Sequence, residues 1–517
     1  MAGDCRSLRS GSPAAPTITH RTTPVTTQIA RTNGSSPTPA EAVFDFDVAI
    51  IGAGTAGMSA YREASQYTDS IALIDGGPLG TTCARVGCMP SKLLIAAAEA
   101  AHAGSKAPQF GVRYGEPSID GKAVMSRVRS ERDRFVGFVE QAVLGFEKGE
   151  VIREYARFED DHTLRLSSGR KITARSIVIA TGSRPSIPQE LFSAGERLIV
   201  NDDVFNWTDL PGSVAVFGAG VIGLELGQAL HRLGVRVRLF ARNDNVGPLT
   251  DPLVREYAAN AFSAEFSAIW HAKTRITREG EGVIVRWGDE PEQQERFDYL
   301  IAATGRAPNL DRIGLENTTL RRSVTGVPEY DPLSGRAGQS HIFIAGDAAP
   351  DLPLLHEAAD EGRLAGENAA RFPHSYRRAR RAPIGIVFSD PQIAIVGLSY
   401  AALMARSERA FVTGEVSFED QGRARVMGNN KGLLRVYAEH KTGLFLGAEM
   451  VGPSAEHIAH LLAWTIQTGM TVEQILQMPF YHPVLEEGVR TAFRTAHHAL
   501  GFAPNPPMRC IDCGPGA

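Results

Sequence analysis

Two copies of one pattern, 166 residues apart, limit what this chain can fold into. In the first, FDFDVAIIGAGTAGMSAYREA reads as a buried strand running into Gly52-x-Gly54-x-x-Gly57 and a helix, with a second strand, SIALIDGG, ending in Asp75. In the second, SVAVFGAGVIGLELGQALHRLGVRVRLFAR repeats strand, Gly218-x-Gly220-x-x-Gly223, helix and strand. One glycine fingerprint alone is weak evidence. Set between strand and helix, and met twice, it predicts two units that each hold a pyrophosphate on a helix N-terminus. The chain is therefore expected to be α/β, with two Rossmann-like dinucleotide-binding domains. From about residue 383 the pattern changes to strands such as IGIVFSDPQIAIVG followed by helices, which adds a C-terminal α+β domain.

The two copies differ where a ribose would lie. Counting 23 residues from the first glycine reaches Asp75 in the first copy but Ala241 in the second, with Arg242 next. An acid at that place holds the 2′-hydroxyl of NAD, whereas an arginine nearby accommodates the 2′-phosphate of NADP. Arg242 leans the second site towards NADP. NAD remains open, because a solvated strand-end arginine is the alternative.

Between the copies stands Gly80-Thr81-Thr82-Cys83-Ala84-Arg85-Val86-Gly87-Cys88-Met89-Pro90-Ser91-Lys92, with two of the chain's five cysteines. Residues five apart in a regular helix lie roughly 8.7 Å apart between Cα atoms, and a disulfide wants less than about 7 Å. A bonded pair cannot share one regular helix. Cys83 is then expected in an irregular lead-in and Cys88 at a helix start, with Pro90 in the first turn and SKLLIAAAEAAHA propagating the helix. A thiolate at Cys88 would feel the positive end of the helix dipole, leaving Cys83 as the exchanging thiol. A redox-active disulfide, a structural disulfide and two buried free thiols all fit the spacing alone.

This stretch resembles the active-site motif of the flavin-dependent pyridine nucleotide-disulfide oxidoreductases, the family of dihydrolipoamide dehydrogenase, glutathione reductase and mercuric reductase. The resemblance spans about residues 46 to 500. It implies FAD at Gly52, Gly54, Gly57, Asp75, Thr82 and Lys92, and a nicotinamide nucleotide at Gly218, Gly220, Gly223, Glu225 and Arg242. Thr181 and Gly182, in Ala180-Thr181-Gly182-Ser183, resemble the return crossing of the flavin domain. Gly305, in Gly305-Arg306-Ala307-Pro308-Asn309, resembles the return from the nicotinamide unit. Asp347, after the strand HIFIAG, would bind the ribityl and phosphate region of FAD. By the same resemblance Glu225 pairs with Lys92 beside the flavin, and His482 with Glu487 forms the base that serves the thiols across a dimer.

The implied domains are a disordered extension over 1–44, an FAD-binding domain in two parts (45–197 and 300–375), an NAD(P)-binding domain at 198–299, a dimerisation domain at 382–503 and a flexible tail at 504–517. The implied chemistry is dithiol oxidation. Substrate attacks Cys83, His482 takes the proton, Cys88 leaves as a thiolate against FAD, and the nicotinamide accepts hydride. Pro90-Ser91-Lys92 agrees with dihydrolipoamide dehydrogenases and mercuric reductases, so the expected enzyme is a homodimeric dihydrolipoamide dehydrogenase acting on a lipoyl-bearing protein or small dithiol. An NADPH-dependent disulfide or mercuric reductase using Cys510 and Cys513 is the alternative, and a flavoprotein redox sensor with little turnover is a third.

Composition removes other classes. A net charge of −4 gives no footprint for nucleic acid or an anionic membrane. No apolar run approaches the roughly 20 residues of a membrane span. Five cysteines in 517 residues do not make a secreted disulfide framework, so a cytoplasmic location is expected; Arg6, Arg9, Arg21 and Arg31 leave an organelle address as the lesser alternative. The charged stretch between about 104 and 150 is expected to be a helix packed on the first domain, and Arg371 to Arg381 a linker with solvated charges. No metal site is expected, since Cys510 and Cys513 lack two further ligands nearby.

Overall fold

The computed structural model describes residues 43–115, 117–406 and 410–501. The expected disorder of the extension up to residue 42 and the alternative redox role of Cys510 and Cys513 fall outside the described residues. The first fingerprint unit is β1 (Phe46–Ile51), α1 (Thr55–Ala64) and β2 (Ile71–Ile74). It is followed by α2 (Thr82–Val86), α3 (Cys88–Lys106), α4 (Gly121–Leu144) and the strands β3 (Glu150–Ile152), β4 (Ala156–Phe158), β5 (Thr163–Leu166), β6 (Lys171–Ile179) and β7 (Ser183–Pro185). The parallel core runs β3-β2-β1-β6, with Val48 opposite Ile71 on one side and Ser176 on the other. These strands read as unbroken apolar runs because helices and hairpins cover both faces and no position is left for water. β6 splits its partners: its first half continues the β4–β5 hairpin, and its second half receives a parallel strand returning from Ile342–Ile344.

A second sheet repeats the plan with β8 (Leu198–Ile199), α5 (Asn201–Val204), β9 (Ser213–Phe217), α6 (Val221–Arg232), β10 (Arg236–Phe240), α7 (Pro252–Glu265) and β11 (Ser267–Ile269). An antiparallel layer, β12 (Thr274–Glu279), β13 (Gly282–Trp287) and β14 (Gln293–Phe297), precedes β15 (Tyr299–Ala302). The parallel order is β11-β10-β9-β15-β8. One face packs Phe217 and Phe240 against Val285, Trp287 and Phe297 of the antiparallel layer. The other face takes α6 and α7, together with Leu94 of α3 and Met125 and Val128 of α4.

The chain then returns through β16 (Arg306–Pro308), which pairs with β7, β17 (Ile342–Ile344) and α8 (Leu355–Ala370). The last part is β18 (Ile384–Val387), β19 (Gln392–Gly397), α9 (Tyr400–Met404), β20 (Phe411–Ser417), α10 (Gly422–Val426), β21 (Leu433–Glu439), β22 (Phe445–Gly452), α11 (Ala455–Gln467), α12 (Val472–Leu476) and α13 (Glu487–Leu500). Its antiparallel order is β18-β19-β22-β21-β20. The residues of β20 alternate between buried and more exposed, the period of a strand with one covered face, and α11 and α13 close that face around Phe445 and Phe493. The α/β class with two Rossmann-like units and an α+β end is thus the observed one.

One expectation is extended and one corrected. α4 packs on α2 and α3 of the first domain as expected, with Val143 in the first sheet's core; beyond that, Met125 and Val128 enter the second sheet's core and Arg129 and Arg132 donate to the carbonyls of Trp207 and Phe205, so the helix bridges the two sheets. The linker arginines are not merely solvated. Arg377 binds Asp331 at 2.9 Å, Arg378 binds Glu367 at 2.5 Å, Arg380 binds Glu361 at 2.7 Å and Arg381 binds Asp360 at 3.2 Å. The acids that recruit them lie mostly on α8, distant in sequence pattern but adjacent in space.

Candidate functional site

The two glycine fingerprints fold into cradles of matching local geometry. Gly52 and Gly218 adopt φ of +108° and +112°, where a side chain is strained. A Cβ on either would stand 2.3 Å from the carbonyl oxygen of Ala180 or Ala303. The third glycines have the same cause: a Cβ would lie 1.8 Å from the Gly52 oxygen at Gly57 and 1.9 Å from the Gly218 oxygen at Gly223. Gly54 and Gly220 meet nothing within 4 Å, and as N-caps of α1 and α6 they provide no side-chain cap. The first-turn amides of both helices therefore face open space and suit a pyrophosphate.

Around the first cradle, Asp75 accepts the amides of Ala53 and Gly77, each at 2.7 Å. A carboxylate has acceptor sites beyond these two for a ribose. The Thr181 hydroxyl is buried without a hydrogen-bond partner, and the carbonyls of Thr181 and Gly182 accept from Asn309 at 3.1 and 2.9 Å. Asp347 accepts from Ser183 Oγ at 2.7 Å, which in turn accepts from Arg306 Nε at 2.8 Å. Residues far apart in the chain are thus tied at one place, and the open cradle, the uncapped α1 and the unsatisfied Thr181 hydroxyl fit a dinucleotide such as FAD.

The second cradle opens into a cleft of about 400 Å³. Gly218, Gly220, Arg242 and Gly305 line it, with Asn243 and Thr304, and Gly223 packs beneath. Ala241 is buried just after β10, and its side chain offers no acceptor. Glu225 is not among the residues lining this cleft. It lies on α6 facing α3, where both carboxylate oxygens bind Lys92 Nζ, at 2.7 and 2.8 Å, with side-chain exposures of 5% for Glu225 and 32% for Lys92. Assignment of Glu225 to the nicotinamide site is corrected accordingly: α6 carries the cradle at its first turn and turns Glu225 the other way, towards the thiols.

Cys83 lies within the five-residue helix α2, not in the irregular lead-in expected, and Gly87 separates it from Cys88 at the first position of α3. A short helix satisfies the same distance limit because the break falls between the cysteines. Thr82 precedes Cys83 as an exposed side chain at the start of α2. Both thiols are free, Cys83 half-buried and Cys88 exposed. Cys83 donates to Cys88, which holds the Cys83 proton in place and raises its pKa, with burial adding to the rise. The same hydrogen bond, aided by the Lys92 charge, lowers Cys88 to about 7.

His482 and Glu487 meet in the C-terminal part. The imidazole Nδ1–H donates to Glu487 at 3.0 and 3.1 Å, which leaves Nε2 as the free acceptor. Glu487 is 3% exposed and opens α13, where the helix dipole favours its charge, and it also accepts the Val484 amide at 3.2 Å. The His482 side chain is 57% exposed. No hydrogen bond or ion pair among the described residues joins it to Cys83 or Cys88. Sequence motifs missed Phe388, whose ring lies 4.5 Å from Lys92 Nζ and whose amide donates to Glu225 at 3.0 Å. Only its place just after an apolar strand and before a Ser-Asp-Pro turn could have drawn notice.

Comparison with known proteins agrees with this geometry. Residues 46–362 match the pyridine nucleotide-disulphide oxidoreductase family, and residues 384–493 match that family's dimerisation domain. The dihydrolipoyl dehydrogenase of Geobacillus stearothermophilus is 30% identical, over 87% of this chain and 96% of that protein. The dihydrolipoyl dehydrogenase of Halobacterium salinarum is 31% identical over 88% and 97%. Among solved structures, the Cu(II) complex of the HOCl-induced flavoprotein disulfide reductase RclA from Escherichia coli shares the fold, with a TM-score of 0.73 and 22% identity over 86% of this chain and 99% of that one.

Proposed function

This chain belongs to the pyridine nucleotide-disulphide oxidoreductase family, an FAD-dependent oxidoreductase that uses a pyridine nucleotide, and we propose that it acts as a dihydrolipoyl dehydrogenase with a preference for NADP. The net reaction oxidises a dihydrolipoyl dithiol to its disulfide and reduces NADP⁺ to NADPH with release of one proton. Bound FAD supplies the two-electron step between dithiol and nicotinamide. The chain's own residues govern the thiol steps. Starting from a Cys83–Cys88 disulfide, a substrate thiolate attacks Cys83, and Cys88 is expelled. A low leaving-group pKa speeds that step, and the observation that carries the reading is the asymmetry of the pair: Cys83 sits in α2 and donates to Cys88, while Cys88 opens α3 one turn from Lys92, whose charge favours its thiolate.

His482 Nε2 takes the proton of the substrate thiol, held in the required tautomer by Glu487. Its exposure and its place in the family's dimerisation domain support a homodimer in which His482 serves the thiols of the partner subunit. Lys92 keeps a positive charge next to Cys88, with Glu225 fixing the ammonium. Arg242 at the mouth of the second cleft, beside Ala241 where an acid would select NAD, supports the choice of NADP.

The experiment is steady-state oxidation of dihydrolipoamide with each nucleotide. A charge-assisted contact from Arg242 to the 2′-phosphate should favour NADP⁺ by about tenfold or more in kcat/KM, and Arg242→Gln should erase that preference. No turnover of dihydrolipoamide with either nucleotide would refute the dehydrogenase reading. NADPH-driven reduction of a disulfide without that turnover would instead assign a reductase.

A further inference from the structure

Phe388 belongs to the dimerisation part yet touches the charge pair next to the thiols. It follows β18 and precedes Ser389-Asp390-Pro391. Its ring stands 4.5 Å from Lys92 Nζ, close enough for a cation–π contact, and its amide donates to Glu225 Oε1 at 3.0 Å. The next residues are locked onto α6. Gln228 accepts the Asp390 amide at 2.8 Å and donates to the Asp390 carbonyl at 2.7 Å. The Asp390 carboxylate binds Arg232 at 3.0 Å and Lys106 at 2.5 Å, and Arg232 is held in turn by Glu265. One run of contacts therefore leads from the dimerisation part, through α6, to the ammonium that faces Cys88.

We propose that Phe388 is a positioning residue of the thiol centre, fixing Lys92 between Glu225 and Cys88, so that seating of the 388–391 turn on α6 sets how readily Cys88 is a thiolate. A carboxylate alone would draw the ammonium towards itself and away from the sulfur. The aromatic face supplies a second attraction from another side, and the main-chain donor to Glu225 diverts part of that carboxylate's charge. The charged and titratable groups of the same chain that act on Cys88 are Cys83 on α2, Lys92 on α3 and Glu225 on α6, to which the proposed dimer adds His482, and Phe388 orders two of them without a charge of its own. This rests on the thiol-exchange reading above.

The test is a pH titration of the long-wavelength absorbance that dithiol-reduced holoenzyme shows when a Cys88 thiolate faces flavin. Phe388→Leu should move the midpoint upwards by about half a pH unit, since an exposed to partly buried cation–π contact is of that order in free energy. Phe388→Tyr, which keeps the ring, should restore the wild-type midpoint, and Gln228→Met, which frees the turn, should shift it the same way as the Leu variant. Lys92→Met should raise it further, and adding Phe388→Leu to Lys92→Met should change nothing more. An unmoved midpoint in Phe388→Leu, or an equal shift with and without Lys92, would overturn the proposal. Failure of the thiol reading itself looks different: wild-type enzyme would show no thiolate absorbance, and Cys83→Ser would still turn over.

Discussion

Cys83 and Cys88 have the same side chain and opposite tasks, and the difference arises from what each sulfur meets. Cys83 gives its hydrogen bond to Cys88, while Cys88 also feels Lys92. Cys88→Ser should therefore abolish dithiol turnover while leaving bound flavin in place, as judged by the visible spectrum of the purified variant. The same asymmetry sets a pH dependence. With Cys88 at about 7, its thiolate should be present above that pH and lost as pH falls through it. His482→Gln should lower kcat by roughly 10² to 10⁴, the range for removing a general base, and Glu487→Gln should cost less because Nε2 remains available. The cysteine spacing, the His482–Glu487 interval and the missing acid at Ala241 were legible in the sequence, because each is a local pattern with a chemical reason. Phe388 was not, since its role depends on two residues from other parts of the chain and on no spacing of its own.

Among the elements, the two cradles were the most legible. Their glycines are fixed by main-chain collisions that recur with the strand-turn-helix pattern, so the repeat in sequence is a repeat in geometry. Gly57→Val should yield protein without flavin, measured as the absorbance ratio of flavin to protein, because its side chain would strike the Gly52 carbonyl. The bridging of α4 and the pairing of Arg377 to Arg381 could not be read from one element's own periodicity, since the surfaces they meet come from β9 to α7 and from α8. Glu361 on α8 makes that point with a measurable consequence. It accepts the Gly346 amide at 2.8 Å, next to Asp347, and faces Arg380, Glu357 and Asp351. Burial pushes it up from 4.5 to about 7, with Glu357 and Asp351 opposing its charge and Arg380 favouring it. Its native form holds a proton that the unfolded form has lost, so stability from this group falls as pH rises from about 4.5 to about 7. Thermal unfolding of Glu361→Gln across that window should show a shallower fall than wild type.

At the scale of the molecule, the fold carries two nucleotide cradles, one thiol pair and, in its last domain, a histidine held by Glu487. The family's dimerisation domain covers residues 384–493, and His482 lies within it. Mixing two inactive variants, Cys88→Ser and His482→Gln, should restore about a quarter of wild-type activity, because half of randomly formed dimers carry one intact site in a symmetric arrangement. No recovery after subunit exchange would place His482 and the thiols in one chain. Passage of electrons between dithiol and flavin through Cys83 and Cys88 can be watched by anaerobic rapid mixing of dihydrolipoamide with wild-type and Cys88→Ser holoenzyme while the flavin spectrum is followed. Wild type should show a fast long-wavelength thiolate absorbance, cleared by NADP⁺, and the variant no flavin reduction. Reduction of the variant's flavin at the wild-type rate would contradict that route.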